Sequence, residues 1–341
     1  MLWAGVGAAR QWAASRGRLS ALLLVGVATV LAGCGEDANN VAENVADETP
    51  PAATSQIAFV SDRDGSRRIF LMDSDGSDQR PVTDPAHGED TWPAWSPDGT
   101  RIAFVSDRDG DREIYVMRAD GGGPRNVSNR PSDDDTQPAW SPDGTTIAFV
   151  SQTLLASVED VGQEIFLIDV DGGNLREIAV AGGMYARRPS WAPDNSGIVY
   201  EAFWPGIGEG TPSVHIVDME GRRLGDMPGV TKSPAWSPDG LSIAVATRNR
   251  ADGGRQTISV MDVDGQNRRV ITSNAHGDDD EPAWSPDGSR LAYAAGHSGY
   301  NAYLPARTTR GANIHVVNLD HLTVIQLTHG RSYNGMPAWS P

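Results

Sequence analysis

Three acidic clusters and two basic sites are the residues best placed to do chemistry. Glu89-Asp90, Asp133-Asp134-Asp135 and Asp278-Asp279-Asp280-Glu281 set two to four carboxylates side by side. Carboxylates grouped with backbone carbonyls are what a hard cation such as Ca²⁺ takes. Glu89, Asp90, Asp134, Asp135, Asp279, Asp280 and Glu281 are the candidate ligands, with solvated loops of an acidic chain as the alternative. Arg187-Arg188 and Lys232 are the basic counterpart, candidates for a partner- or ligand-binding face. The run Asp107-Arg-Asp-Gly-Asp-Arg-Glu113 alternates carboxylates like a Ca²⁺ loop but lacks the helix-flanked ligand spacing, so it reads as a hairpin turn. Phe203, Trp204, Tyr300 and Tyr303 are aromatics able to anchor a protein partner or a sugar, or to pack their own loops down. His87, His276 and His329 recur at one position, and His215 and His315 at another. Histidines converging on a channel would make a metal-dependent, carbohydrate-processing site, although descent from a repeat explains the recurrence more simply.

Cys34 is the only cysteine of the 341 residues, so no intrachain disulfide forms. Arg10, Arg16 and Arg18 precede an apolar run from Leu19 to Val30, followed by Leu31-Ala32-Gly33-Cys34. A basic start, a short apolar stretch and small residues read as a secretory signal, too short for a confident membrane span. Leu-Ala-Gly-Cys resembles the bacterial lipobox, which implies that Cys34 becomes an acylated N-terminus and that residues 1–33 are removed. By the same resemblance Gly35 favours the periplasmic side of the outer membrane. Residues 34–55 then form a lipidated start and a disordered tether, because they carry no apolar periodicity with which to build a core.

The net charge of −17 argues against a nucleic-acid partner, which needs a basic face. Gly-x-Ser-x-Gly, His-Glu-x-x-His and phosphate-cradling glycine loops are absent, so the chain is read as no enzyme.

The elements that position these residues follow from a repeat. Trp95, Trp140, Trp191, Trp236, Trp284 and Trp339 lie 45, 51, 45, 48 and 55 residues apart. Five sit in Pro-Ala-Trp-Ser-Pro, and the sixth in Pro189-Ser190-Trp191-Ala192-Pro193. A period of this length signals propeller blades or solenoid units. Each unit reads as four short strands: Pro-Ala-Trp-Ser, a Ser-Pro-Asp-Gly turn, runs such as Ile102-Ala-Phe-Val and Glu113-Ile-Tyr-Val-Met, and a polar fourth strand. Asn195 replaces glycine in one turn, the next-best residue for a left-handed angle. Residues 56–341 open on a second strand and end on a first, so the last strand is expected to complete the first blade. The fold expected is all-β, a six-bladed β-propeller closed by pairing of the C-terminal strand into the first blade, with an open solenoid as the alternative.

The units Pro-Ala-Trp-Ser-Pro-Asp-Gly, Ile-Ala-Phe-Val-Ser-Asp-Arg-Asp-Gly and Ile-Tyr-Val-Met resemble the propeller repeats of the TolB family. The resemblance implies a periplasmic, non-catalytic interaction module of the cell envelope. Its partner would be an envelope protein or a peptidoglycan-associated protein, with membrane contact through the lipid alone. In that family a small α/β domain precedes the propeller; here residues 35–54 occupy the place. First strands of a propeller line its channel, and the longest second-to-third connections, 152–162, 203–212 and 296–311, mark one face as the working face. The acidic clusters and Arg187, Arg188 and Lys232 would then make acidic and basic sides of the channel mouth. The competing expectation is a carbohydrate-binding or carbohydrate-processing propeller with a metal ion at that mouth.

Overall fold

A computed structural model describes residues 55–131, 133–153, 162–179, 185–203, 212–227, 229, 231–248, 254–273, 277–297 and 311–341. The signal segment, Cys34 and the tether through residue 54 lie outside the described residues, as do Trp204, His276, Tyr300 and Tyr303.

The described chain forms six four-stranded antiparallel sheets. In blade 1 the order is Asn334–Trp339, Gln56–Ser61, Arg68–Asp73, Arg80–Pro81, so the C-terminal strand is innermost in a sheet that otherwise starts the fold. Blades 2 to 6 follow in chain order, with inner strands Asp90–Trp95, Asp133–Trp140, Tyr185–Trp191, Thr231–Trp236 and Asp278–Trp284. Each inner strand contacts the next around the ring, and Asn334–Trp339 touches the inner strands of both blade 6 and blade 2. This is the closed six-bladed propeller expected from the repeat.

The middle strands carry unbroken apolar runs because both of their faces are buried. Ile57, Phe59, Phe70 and Met72 pack toward blade 6, whereas Ala58, Ile69 and Leu71 pack toward blade 2. Six apolar clusters fill the six gaps between neighbouring blades, and a smaller seventh joins Val60, Ala312, Tyr333 and Met336 to Trp92 beside the channel. The repeat tryptophans belong to these gaps. The indoles of Trp140, Trp191 and Trp284 donate at 3.0–3.1 Å to Ala94, Ala139 and Ala235 in the preceding blade.

The Ser-Pro-Asp-Gly turns work as their chemistry suggests. Asp98 accepts from the Ser96 hydroxyl at 2.5 Å and from the Thr100 amide at 3.0 Å, bonds that hold its carboxyl down to about 2. Gly99 has φ +69°, and Asn195, its counterpart in blade 4, has φ +60°.

Inner strands begin earlier than Pro-Ala-Trp-Ser. Asp90, Asp133–Asp135 and Asp278–Glu281, read from sequence as loops entering the channel, are strand residues. A bulge explains this. In all six blades the pairing register between the inner strand and its neighbour shifts at the dipeptide ending in proline, and pairing resumes on the far side.

Candidate functional site

The bulges create the site. The residue before each inner-strand proline has positive φ: Trp92 (+52°), Gln137 (+57°), Arg188 (+53°), Ser233 (+53°), Glu281 (+57°) and Met336 (+54°). None is glycine, and a proline at the next position ordinarily drives its predecessor to extended backbone. Each such residue costs on the order of 1–3 kcal/mol, strain that persists when the surrounding structure enforces it and that gathers at binding sites. A bulge also re-aims the side chain it carries. The six X–Pro pairs together line a central cavity of ≈ 130 Å³, and among them only the residues before proline differ from blade to blade.

Neighbouring blades hold the collar together. The Met336 amide donates to Glu281 Oε2 at 2.7 Å, the Arg188 amide to Gln137 Oε1 at 2.7 Å, and the Ser233 amide to Glu201 Oε2 at 3.1 Å. Gly335 is needed beside Met336, since a Cβ there would stand 2.3 Å from the Tyr333 hydroxyl and 3.2 Å from Glu281 Oε2. Arg188 crosses the opening. Its guanidinium lies 5.6 Å from the centre of the Trp92 ring and 3.1 Å from Asp280 Oδ1.

Asp280 is the electrostatic centre. Its Oδ2 sits 2.7 Å from Lys232 Nζ; its Oδ1 accepts from Arg188, from the Ser233 hydroxyl at 2.5 Å and from the Glu281 amide at 2.8 Å. Burial alone would push this carboxyl up, but Lys232 and Arg188 with these hydrogen bonds hold it far below the ordinary range. Asp280 is therefore a poor base and leaves the Ser233 hydroxyl unactivated. The structure thus brings Arg188, Lys232, Asp280 and Glu281 into one neutralised group, where the sequence suggested separate acidic and basic sides.

The other acidic candidates go elsewhere. Asp90 pairs with Arg108 at 3.1 Å and Asp135 with Arg130 at 3.4 Å, each within its own blade. Asp279 accepts from the Thr272 hydroxyl at 2.5 Å, Asp134 from the Arg112 amide at 3.3 Å, and the Glu89 amide donates to Asp107. Among the described residues no three Asp, Glu, His or Cys side chains converge as metal ligands. The 107–113 segment is a hairpin connection whose Asp109 accepts from the Tyr115 hydroxyl.

Arg187 and Phe203 meet at the end of blade 4. The Arg187 guanidinium lies 4.4 Å from the centre of the Phe203 ring, and Phe203 packs edge-on against Tyr185 at 5.2 Å. His87 and His329 are exposed and apart from the collar. His215 and His315 occupy matching places beside Tyr200 and Tyr293. His215 Nε2 lies 2.7 Å from the Ser213 hydroxyl and 3.0 Å from Arg223 Nη2. Arginine only donates, so Nε2 is an acceptor there; burial and then the Arg223 charge push its pKa down, leaving a weak base.

Burial pushes the Asp135 carboxyl up to about 7, against hydrogen bonds from Ser151 and Ser128 and the charge of Arg130. The folded protein therefore keeps a proton that the unfolded chain releases near the ordinary value of 3.8. This group's contribution is full below that value and is lost as pH rises toward about 7. Asp135→Asn should flatten the fall in stability between about pH 4 and 7 by roughly 1–4 kcal/mol. Urea unfolding of both proteins across that range checks it, and parallel pH profiles would contradict it.

Trp92, Gln137, Ser233 and Met336 escaped the sequence reading of the channel. Their signal is variation, since they are the changing position before an otherwise repeated Pro-Ala-Trp.

A family model described as the TolB β-propeller domain matches residues 38–202 and 157–304. The Tol-Pal system protein TolB of Francisella tularensis subsp. mediasiatica is 28% identical over 111 residues, 33% of this chain and 25% of that protein. The chain thus spans about a quarter of the length of the curated relatives it matches. TolB from Acinetobacter baumannii superposes with a TM-score of 0.65 at 20% identity, covering 84% of this chain and 67% of that one. Hydrazine synthase of Kuenenia stuttgartiensis gives 0.65 at 13% identity, over 85% and 47%. Likeness at these identities is a likeness of fold.

Proposed function

The chain belongs to the TolB β-propeller family, and we propose that it is a non-catalytic protein-interaction module of the cell envelope. On this reading lipid on Cys34 holds it to the periplasmic side of a membrane, and an envelope or peptidoglycan-associated protein engages the channel mouth.

The observation that carries the reading is the collar. Six strained X–Pro pairs present an indole, an amide, a guanidinium, a hydroxyl, a carboxylate and a thioether to one cavity. Glu281 Oε1 is buried there, 3.9 Å from Arg188 Nη2, with no hydrogen-bond partner among the described residues. Aromatic and arginine side chains in a concave setting are the usual anchors of protein interfaces. The titratable groups argue in the same direction, because Asp280 and His215 are both held as weak bases.

Photo-crosslinking in intact cells tests it. A crosslinker at position 137 should capture a protein that one at the outer residue Leu175 does not. Trp92→Ala should weaken that complex by about 2 kcal/mol, roughly thirty-fold in Kd, with the fold intact by circular dichroism. Equal capture from both positions, or capture indifferent to Trp92→Ala, would count against the proposal.

A further inference from the structure

The repeat supplies an internal control for its own surface. Among the described residues the exposed large apolar side chains are Leu175, Leu241, Val270, Leu322, Val324 and Ile325. All but Leu175 lie on blades 5 and 6.

Three of them depart from the repeat in a position fixed by register. Ile325 faces Val316 across blade 6, where the matching outer-strand residue is Arg80, Arg125, Arg176 or Arg269 in four other blades and Gly225 in blade 4. Val270, next along the outer strand of blade 5, corresponds to Pro81, Asn126, Glu177, Asp226 and Gln326. Leu241 follows Ser-Pro-Asp-Gly where Thr100, Thr145, Ser196 and Ser289 bond the turn aspartate through their hydroxyls. Leu241 forgoes that bond and is 63% exposed; Ile325 is 62% exposed. Charged side chains ordinarily guard an outer strand. Here Ile325 replaces the arginine on blade 6, and blade 5 keeps Arg269 but carries Val270 beside it.

The chain enters the fold at the same end. The Gln56 amide donates at 2.7 Å to the hydroxyl of Ser340, the counterpart of the first residue of the Ser-Pro-Asp-Gly turns. Gln56 pairs with Asp73, and the turn after Asp73 leans on blade 6, where Gln79 Nε2 donates to the Leu327 carbonyl at 3.0 Å. On blade 5 the apolar rim also has cations beside it. Arg268 and Arg269 are exposed on blade 5, Arg269 reaching the Leu319 carbonyl at 3.5 Å, and Asp264 and Asp320 stand in the turns that lead to the two outer strands. Apolar side chains beside arginines suit the interfacial region of a bilayer. Strand addition by a protein would have three residues to pair with, Val324–Gln326.

We propose that the outer rim of blades 5 and 6 is a membrane-docking edge, with Val270, Leu322, Val324 and Ile325 seated in the bilayer surface beside the N-terminal anchor. The inference rests on the lipid-anchor reading. It adds orientation, since 20 residues of tether reach up to roughly 70 Å and fix none.

Depth measurement tests it on the acylated full chain in phosphatidylethanolamine–phosphatidylglycerol vesicles. With Cys34 blocked by lipid, Ile325→Cys and Leu175→Cys each carry one environment-sensitive fluorophore, Leu175 lying on the blade opposite. Spin-labelled lipid should quench the label at 325 several-fold more than that at 175, and aqueous iodide should do the reverse. Equal quenching at the two sites overturns the docking edge, as does a label at 325 shielded by added envelope protein and not by lipid. The mass of the N-terminal peptide reads acylation separately. If Cys34 is unmodified, the anchor reading fails by itself. The same pair of labels then decides the edge on a Cys34→Ser chain held by an N-terminal histidine tag to nickel-chelating lipid.

Discussion

Asp280→Ala should destabilise the propeller by about 3–5 kcal/mol, the usual result of removing one member of a buried ion group. The carboxylate is almost fully covered, and it joins three blades: Arg188 comes from blade 4, Lys232 and Ser233 from blade 5, and Asp280 itself from blade 6. Its loss leaves the Arg188 and Lys232 cations of two neighbouring blades without their shared carboxylate and strips the Ser233 hydroxyl and Glu281 amide of their acceptor. Adding Lys232→Met should restore part of the loss, because the double variant has one uncompensated cation fewer. Urea unfolding of the single and double variants is the measurement. A change within about 0.5 kcal/mol for Asp280→Ala, the range of ordinary surface substitutions, would contradict the role given to this group.

Trp339→Ala should cost a similar amount, about 3–5 kcal/mol, and for a different reason. Trp339 belongs to the cluster that joins Ile57, Phe59, Phe70 and Met72 of blade 1 to Ala292, Ile314, Val316 and Leu327 of blade 6. The Arg290 guanidinium also covers its ring at 4.8 Å. The substitution therefore weakens the one junction formed by the two ends of the folded chain. In an open array each unit leans on its neighbours alone, and a terminal change stays local. In a closed ring it loosens both flanking blades. Thermal unfolding should show Trp339→Ala lowering the whole transition; a small separate early step with the main transition unmoved would indicate an open array.

The fold was legible because its signals are local and repeated. Pro-Ala-Trp marks each inner strand, Ser-Pro-Asp-Gly or its Asn195 variant marks each turn, and runs such as Ile102-Ala-Phe-Val lie buried on both faces and so stay apolar throughout. Ring closure followed from the phase of the repeat at its two ends. The acidic clusters were harder to place. Aspartate is disfavoured in strands, so Asp133–Asp135 and Asp278–Glu281 read as loops; a bulge and pairing to Arg130, Arg188 and Lys232 keep them in the sheet. That Arg188 and Lys232 meet Asp280 could not be read from residues 92 and 48 positions apart, because the meeting is set by the circumference of the ring. Arg187 and Arg188 are adjacent in sequence yet part company, one packed on Phe203 and the other crossing the channel. Arg188 is the bulge residue, with φ +53°, and side-chain type carries no trace of that.

Ring closure is tested most directly by amide exchange in the strand Gln56–Ser61, whose inner neighbour is Asn334–Trp339. In the intact chain its amides should exchange as slowly as those of Arg101–Ser106, the matching strand of blade 2. A chain ending at Tyr333 should lose that protection in Gln56–Ser61 and along the facing strand Arg290–His297, while the strands of blade 3 keep theirs longest. Unchanged protection of Gln56–Ser61 in the shortened chain would mean that the final strand does not close the ring.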